Sequence, residues 1–215
     1  MMARKTKEAA QETRQQILAA AEEIFFRHGV SQTSLDEIAT TAGVTRGAIY
    51  WHFKNKLDLF KALFESVRMP QEEIIERAVA EGHPDALGML ETTIREAFSI
   101  LVTDHRRQRV FTILNCRCEY VGEMQEFLDH QRDANQRMQD RITRAFYLAR
   151  EQGALSPAWK PDDCAGIFIN FVIGIFTDWI RFGQQFDLVE IGSRQATKLI
   201  ATFKADAASP PHTPP

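Results

Sequence analysis

The sequence is poor in cysteine and has none of the features of a secreted chain. Its three cysteines, Cys116, Cys118 and Cys164, are an odd number, and the charged amino-terminal stretch lacks the apolar core of a signal peptide. We therefore expect a reducing, cytoplasmic compartment. Cys116 and Cys118 stand two positions apart, but no second Cys/His pair has the spacing of a tetrahedral metal site. Buried free thiols are favoured, and no metal is expected.

The chain also lacks an excess of positive charge. Its 215 residues carry a formal net charge of -3, so any nucleic-acid surface must be local rather than spread over the whole molecule. A short basic arm, with Arg4, Lys5 and Lys7 before the first acid at Glu8, is one such local imbalance. An arm of this kind either stays in solvent or reaches the phosphates beside a DNA site.

Catalytic and membrane-spanning signatures are missing as well. There is no nucleophile elbow, metal cluster, phosphate-binding loop or spaced carboxylate pair, so the sequence does not predict an enzyme, and no cofactor is expected. The most apolar run, from Cys164 to Phe182, is interrupted by Asn170 and Asp178 and falls short of the roughly 20 residues of a membrane span. We expect protein to bury this helix on every side: it either pairs with a second subunit while its other face lines a cavity, or forms the core of a monomer.

Strand signals are almost absent, and apolar residues recur three and four positions apart, which predicts an all-α fold of about nine helices. The first helix is expected over 8–28. Ser34 forms a capping box with Glu37 and starts a second helix, which Gly43 ends. Thr45 and Asn55 are expected to cap the third and fourth helices. Helix, tight turn and short helix in this order are typical of a helix-turn-helix, with 45–53 as the helix offered to a major groove.

The second half of the chain is also predicted to be helical. Met69-Pro70 is expected to kink or stop the fourth helix, since proline disrupts a helix interior. The further helices are expected over 85–103, 106–118, 123–151, 163–182 and 187–204.

Four ring side chains stand side by side at positions 50–53 of the third helix. Because neighbouring positions on a helix point about 100° apart, these rings cannot all face one core. Ile49 and Phe53 are four positions apart and can pack inward, whereas Trp51 could face either side. The side chains left for a polar partner are Arg46, Tyr50 and His52.

These motifs resemble one family. The segments TSLDEIA at 33–39 and AGVTRGAIYWHF at 42–53 are similar to the amino-terminal domain of TetR-family bacterial repressors. The opening MARKTK, CEYVGEM at 118–124 and FDL at 186–188 resemble more narrowly the AcrR branch, which controls multidrug efflux pumps. The resemblance implies a three-helix DNA-binding domain over 1–68 and a larger helical ligand-binding and dimerisation domain over 69–207. The proline-rich stretch 208–215 is expected to be a disordered tail.

The resemblance also implies a set of DNA-binding residues. It places Thr45, Arg46 and Tyr50 near base edges and phosphates in the major groove. Arg46 is the candidate for reading guanine, because a guanidinium can donate to O6 and N7 together; contact with phosphate alone is the alternative. Lys56 lies in the first turn of the fourth helix, an unfavourable place for a cation unless a phosphate binds there. The expected phosphate contacts are Thr33, Ser34, Tyr50, His52 and Lys56.

Aromatic residues recur at helical spacings in the carboxyl two-thirds of the chain. Many of them can be ordinary core residues, but large adaptable side chains also suit a cavity for varied apolar compounds. The resemblance implies that Glu119 lies near this cavity, where a carboxylate would attract cations; a surface salt bridge is the alternative. AcrR-type proteins can carry an acid near the position where this chain has the base Arg68. Their ligand preference therefore cannot be assigned to this chain. The candidate ligand-binding residues are Phe98, Phe111, Asn115, Glu119, Phe168 and Phe171.

Taken together, the sequence predicts a ligand-responsive transcriptional repressor, acting on a multidrug efflux operon. Its expected partners are double-stranded DNA with a palindromic operator, a small hydrophobic or cationic effector and a second copy of the chain, with no membrane. A palindrome is expected because a two-fold dimer presents two reading heads. The alternatives are a TetR-type regulator of a metabolic operon, an activator, and a small-molecule enzyme using the same cavity.

Overall fold

Ten α-helices build the chain that the computed structural model describes, residues 2–205, with side chains from residue 7 on. No β-strand occurs in that range, which confirms the all-α prediction. The side chains of Arg4 and Lys5 and the predicted tail 208–215 lie outside the described residues. The α-helices are α1 (Met2–His28), α2 (Leu35–Ala42), α3 (Arg46–His52), α4 (Lys56–Glu65), α5 (Gln71–Ala80), α6 (Ala86–Thr103), α7 (His105–Cys116), α8 (Gln125–Glu151), α9 (Pro161–Arg181) and α10 (Ser193–Phe203).

The short helices begin where side chains satisfy free backbone N–H groups. Ser34 Oγ accepts from the backbone N of Glu37 at 3.2 Å, and Thr45 Oγ1 accepts from the N of Ala48 at 3.2 Å. Asn55 Oδ1 does the same for the fourth helix. Each such cap stabilises a helix by about 1 kcal/mol. The three predicted starts are therefore confirmed.

The largest differences from the predicted helix boundaries concern the first, fourth and last helices, and the other boundaries shift by one or two residues. The first helix begins at Met2 rather than at residue 8. The fourth stops at Glu65, and a separate α5 begins after Pro70, which gives ten helices rather than nine. The last predicted helix opens with a π-helical turn, Leu188–Gly192, before α10. A 3₁₀ turn, Gly122–Met124, likewise precedes α8.

The helices pack into two units. The first contains the chain up to Arg68 together with Asp104–Gln131, so it holds α1 to α4, α7 and the start of α8. The second contains Met69–Thr103 and the chain from Arg132 onward. The predicted boundary after residue 68 falls where the chain passes from one unit to the other. Residues 104–131, predicted in the second domain, pack with the first unit.

Each unit has its own aromatic core. In the first unit the ring of Phe60 lies 5.9 Å from that of Phe25 and 4.8 Å from that of Phe127. In the second unit Phe146 packs edge-on against Phe203 at 5.6 Å and Phe168 at 6.3 Å. Burial of a phenylalanine contributes about 1.5–3 kcal/mol, so these rings are a main source of stability in each unit.

Candidate functional site

A tight turn in the first unit holds α3 against α2. Gly43 adopts a left-handed conformation with φ of +66°, which a residue with a Cβ rarely takes. The turn is closed by a hydrogen bond from Val44 N to Ala39 O at 3.0 Å. Ile38 and Ile49 are fully buried beneath it. The predicted helix-turn-helix is therefore present, with α3 fixed from below.

The four adjacent rings of α3 divide between two faces. Phe53 is buried at 2% exposure beside Ile49, as predicted, whereas Tyr50 is 48% and Trp51 72% exposed. His52 is half-buried, and its ring lies 4.5 Å from that of Trp51. The sequence does not decide whether Trp51 faces the core or the solvent. In the structure its side chain faces the solvent.

Arg46 lies on the exposed face of α3 and has two partners. Its guanidinium donates to Asp36 Oδ2 at 3.1 Å and to the Tyr50 hydroxyl at 3.2 Å. The bond to Tyr50, and then the charge of Asp36, raises the pKa of Arg46, which stays cationic. Both members of the Arg46–Asp36 pair are 60% exposed, so the pair contributes little to stability. A guanine edge or a phosphate can displace Asp36 from a guanidinium that is already held near the outer face.

Ser34 and Thr45 keep a donor available for phosphate. Each uses its hydroxyl oxygen as an acceptor for a helix cap, which leaves the hydroxyl hydrogen free to donate. Both residues are exposed at the start of a helix, where the dipole favours an anion. Both hydroxyls are therefore available as donors, while the phosphate contact of Ser34 and the major-groove position of Thr45 stay predictions.

Thr33 and Lys56 are placed differently from the prediction. Thr33 is 3% exposed, and its hydroxyl donates to Gly29 O at 2.7 Å, so it cannot reach a phosphate without local unfolding. Lys56 Nζ donates to Val30 O at 2.9 Å and Thr33 O at 3.1 Å. These carbonyls compensate the unfavourable position of Lys56 in the helix dipole. We therefore remove Thr33 from the interface, and only the third N–H of Lys56 remains for DNA.

Burial and a nearby cation act on His52. Burial, and to a smaller extent Arg14, lowers the pKa of His52 below its ordinary value. The neutral imidazole is therefore favoured at neutral pH, so a phosphate at this ring would meet an N–H donor rather than a cation. Lys54, which is not among the predicted DNA-binding residues, is exposed just after α3. Its place next to the exposed rings is the signal that could have marked it.

An arginine cluster on α7 connects three helices of the first unit. Arg106 Nε lies 3.1 Å from one oxygen of Glu22 on α1, and Arg109 Nε lies 3.1 Å from the other. Arg106 also donates to Ser66 Oγ at 3.0 Å, and Arg107 donates to Val67 O at 3.2 Å, just beyond α4. In the sequence, the run HRRQR at 105–109 indicates such a cluster. Cations are unfavourable in the first turn of a helix, so these arginines are expected to have acidic or carbonyl partners.

Comparison with known proteins decides the family. Residues 17–63 match the model described as bacterial regulatory proteins of the tetR family, and residues 85–205 match the MAATS-type transcriptional repressor, C-terminal region. The chain belongs to the TetR family. This confirms the resemblance that the helix-turn-helix motifs indicated and makes the protein a member of a family of transcriptional regulators.

Relatives of this TetR-family protein are named as repressors or regulators. It is 42% identical to the transcriptional repressor BepR of Brucella suis over 207 residues, which covers 96% of this chain and 99% of BepR. It is 40% identical to the regulator AcrR of Shigella flexneri over 187 residues, 87% of each chain. Its fold is similar to that of SmeT in a triclosan complex, with a TM-score of 0.81, 30% identity, and coverage of 95% of this chain and 97% of SmeT. SmeT is described as the repressor of a Stenotrophomonas maltophilia multidrug efflux pump.

The candidate ligand-binding residues of this TetR-family protein do not share one unit. Phe111, Asn115 and Glu119 belong to the first unit, and the three others belong to the second. Asn115 donates to Phe111 O at 2.8 Å, which occupies part of its amide. Glu119 is exposed to solvent. The remaining candidates are Phe98 and Phe168, both buried, and Phe171, half-buried.

Helix α9 has an apolar face exposed in the single chain, so the alternative of a core helix buried within a monomer is wrong, and pairing of this face with a second subunit stays a prediction. Ile167 is 40% and Ile173 42% exposed. By length and composition α9, with 21 residues, could cross a membrane, so the expectation that this segment falls short of a span is wrong; a third of its most apolar window is buried inside the protein. Phe168 and Ile169 lie on the buried side.

The cysteines also differ in part from the prediction. All three are free, but Cys116 is exposed, so the prediction of buried thiols is wrong for this residue. Burial raises the pKa of the Cys118 and Cys164 thiols to about 11 each. These two thiols are therefore protonated at neutral pH and unreactive as nucleophiles.

Proposed function

We propose that this protein is a ligand-responsive repressor of a multidrug efflux operon and acts in the cytoplasm without catalysing a reaction. The outer face of α3 carries the DNA-binding part of the proposal: Arg46, Tyr50 and Trp51 are exposed on a helix that Ile49 and Phe53 fix from within. BepR and AcrR are named as a transcriptional repressor and a transcriptional regulator, which supports the regulatory role. The efflux target is supported by SmeT, which is described as the repressor of a multidrug efflux pump.

In the proposed complex α3 lies in a major groove. Arg46 exchanges Asp36 for a guanine edge, and Tyr50, which accepts from the same guanidinium, holds it in position. Ser34 and Thr45 donate hydroxyl hydrogens to phosphates on either side of the groove. The remaining proposed phosphate contacts are His52 and the third N–H of Lys56.

Two copies of the chain are required for a palindromic operator. The exposed apolar face of α9, with Ile167 and Ile173, offers the surface for a second subunit. Two heads related by a two-fold axis would meet half-sites roughly 34 Å apart, one turn of DNA. A change in the separation of the two heads would weaken binding at both half-sites, which is how an effector can release the repressor.

The second unit, residues 69–103 and 132–205, is proposed to hold the effector site around its buried aromatic residues. A small hydrophobic compound is favoured because the candidates Phe98 and Phe168 are large apolar rings. The complex of SmeT with triclosan supports this class of effector. Effector binding and operator binding would oppose each other reciprocally.

A footprinting experiment tests the proposal. Purified protein is titrated on DNA from upstream of its own gene and on random DNA of equal length, with and without triclosan. We expect a protected palindrome on the upstream DNA, lost when triclosan is added. Protection that is uniform along both DNAs would exclude a specific repressor. A palindrome that triclosan and other apolar drugs leave protected would exclude release by efflux substrates.

A further inference from the structure

The amide of Gln71, the first residue of α5, is buried without a hydrogen-bond partner. The residue is 6% exposed, and neither its Oε1 nor its Nε2 has a partner among the described residues. Buried polar groups in folded proteins are nearly always hydrogen-bonded, since an unpaired buried amide destabilises the fold. An apolar residue at this position would avoid that penalty. The glutamine thus needs a reason other than the stability of the chain.

Gln71 differs in this respect from the other polar residues that are buried as a whole. Gln108 on α7 is 7% exposed, and its Oε1 lies 3.3 Å from His105 Nδ1. Within the described range five polar side chains are buried, and all but Gln71 have a partner within the protein. The four with partners are Glu22, Thr33, Thr93 and Gln108. Gln71 and Gln108 are therefore suited to comparison, because both are glutamines buried to a similar extent. Gln108 has a hydrogen-bond partner and Gln71 has none in the part of the chain that the structure describes.

The start of α5, at Gln71, has no side-chain cap. Pro70 stands at the N-cap position. The backbone N–H groups of Glu73 and Ile74 both turn back to Pro70 O at 3.2 Å, whereas the N–H of Gln71, at the first position of the helix, has no intrahelical acceptor. The amide of Gln71 and its own backbone N–H therefore offer donors and an acceptor at one place.

We propose that Gln71 recognises the effector, and that the effector is a neutral apolar compound with both a hydrogen-bond donor and an acceptor, such as a phenol or an amide. This assignment rests on the proposed function. A neutral amide satisfies polar groups but does not balance a charge, so a buried cation is disfavoured. Glu119, which the sequence suggested as an attractor of cations, is exposed, where water weakens its field.

Gln71 lies close in sequence to the DNA-binding helices, so a ligand bound at this residue could influence them. Gln71 follows Arg68, the last residue of that part of the first unit, by three positions. Arg107 on α7 donates to Val67 O at 3.2 Å and so ties this segment to the first unit. A ligand bound to the first turn of α5 therefore acts on a short segment that continues directly into α4.

Two variants of the full-length protein test the assignment: Gln71→Leu and, as the matched control, Gln108→Leu. Without ligand, Gln71→Leu is expected to raise the thermal midpoint by about 3 °C, and Gln108→Leu to lower it, because only the second loses a hydrogen bond. Calorimetry then measures binding of triclosan and of its methyl ether, which has no O–H donor. We expect wild type to bind triclosan about tenfold more tightly than the ether. Gln71→Leu should abolish that preference, and Gln108→Leu should keep it.

The opposite results overturn the assignment. It fails if wild type binds triclosan no better than the ether, or not at all, or if Gln71→Leu retains the preference. Gln71→Met, which keeps the length of the side chain, gives the same readouts should the leucine variant not fold. The hydrophobic cation tetraphenylphosphonium should bind more weakly than triclosan. If this cation binds more tightly than triclosan, the assignment of a neutral effector to Gln71 also fails. Operator titrations separate the two proposals: if triclosan binds through Gln71 but leaves the operator bound, the proposed induction fails while the role of Gln71 stands.

Discussion

The two units present their candidate functional residues in opposite ways. In the first unit Tyr50 and Trp51 point outward from a helix whose inner face is fixed by Ile49. In the second unit Phe98 and Phe168 are almost fully buried, at 2% and 3% exposure. A DNA-binding surface can thus lose a side chain without losing its support, whereas an interior site uses the same residues for binding and for stability. The outer face should therefore separate function from stability, and the interior should not.

The largest expected effect comes from removing the support of α3. Ile49→Ala deletes a fully buried side chain and should lower the free energy of unfolding by about 2–5 kcal/mol. Its exposed neighbour supplies the control: Tyr50→Ala should change stability by less than about 0.5 kcal/mol and yet weaken operator binding. Urea unfolding of both variants, followed by operator titration, checks the pair. Equal losses of stability would show that the two faces of α3 do not differ as described.

The next effect concerns binding alone. Arg46→Ala should reduce affinity for the operator by about 1–3 kcal/mol and leave affinity for random DNA nearly unchanged, because a base contact is lost. Arg194→Ala is the matched control, since Arg194 is 54% exposed and pairs with Glu190 at 2.9 Å. Fluorescence anisotropy on the two DNAs gives the measurement. A loss of the same size on both would make Arg46 a phosphate contact instead of a base reader.

The same contrast explains which parts could be predicted from the sequence. The starts of α2 and α3 depend on Ser34 and Thr45, and each cap is a contact between residues three positions apart. Local signals of this kind are visible in a sequence. The inward positions of Ile49 and Phe53 follow from helical periodicity in the same way.

Contacts between distant residues were not predictable in this way. The hydrogen bonds from Lys56 to Val30 O and Thr33 O join residues that are 26 and 23 positions apart in the sequence. The Glu22–Arg106 ion pair joins residues that are 84 positions apart. The packing of 104–131 within the first unit is of the same kind. Residue types and spacing do not determine such contacts, which is why the predicted phosphate contact of Thr33 is wrong: the structure buries this residue.

The Glu22 pair offers a smaller test inside the first unit. Glu22→Gln removes a charge that Arg106 and Arg109 share, but both arginines are more than 40% exposed and can be rehydrated. We therefore expect a loss of about 1 kcal/mol in the free energy of unfolding. Glu23→Gln is the adjacent control: Glu23 pairs with Arg27 at 2.7 Å on the surface and should contribute close to nothing. Equal midpoints in urea for the two variants would mean that the α1–α7 contact does not depend on this carboxylate.

The smallest expected effect is a pH dependence of DNA binding at the outer face. Burial, and then Arg14, lowers the pKa of His52 in the free protein, and a phosphate beside the ring would raise it again. The complex would then take up a proton as pH falls through the range just below the ordinary histidine value of about 6.5, so affinity should rise there by about threefold. Stability should change in the opposite direction, because the unfolded chain binds the proton first and is favoured as pH falls through that range.

Two substitutions determine whether His52 causes this dependence. His52→Gln should remove the rise in affinity between pH 7 and pH 5.5 and the small loss of stability over the same range. His83→Gln, on the turn between α5 and α6 in the second unit, should leave both unchanged. Anisotropy and urea titrations at each pH give the two curves. If the affinity curve of His52→Gln follows that of wild type, the ring does not contact phosphate, and the DNA-facing surface of α3 ends at Trp51.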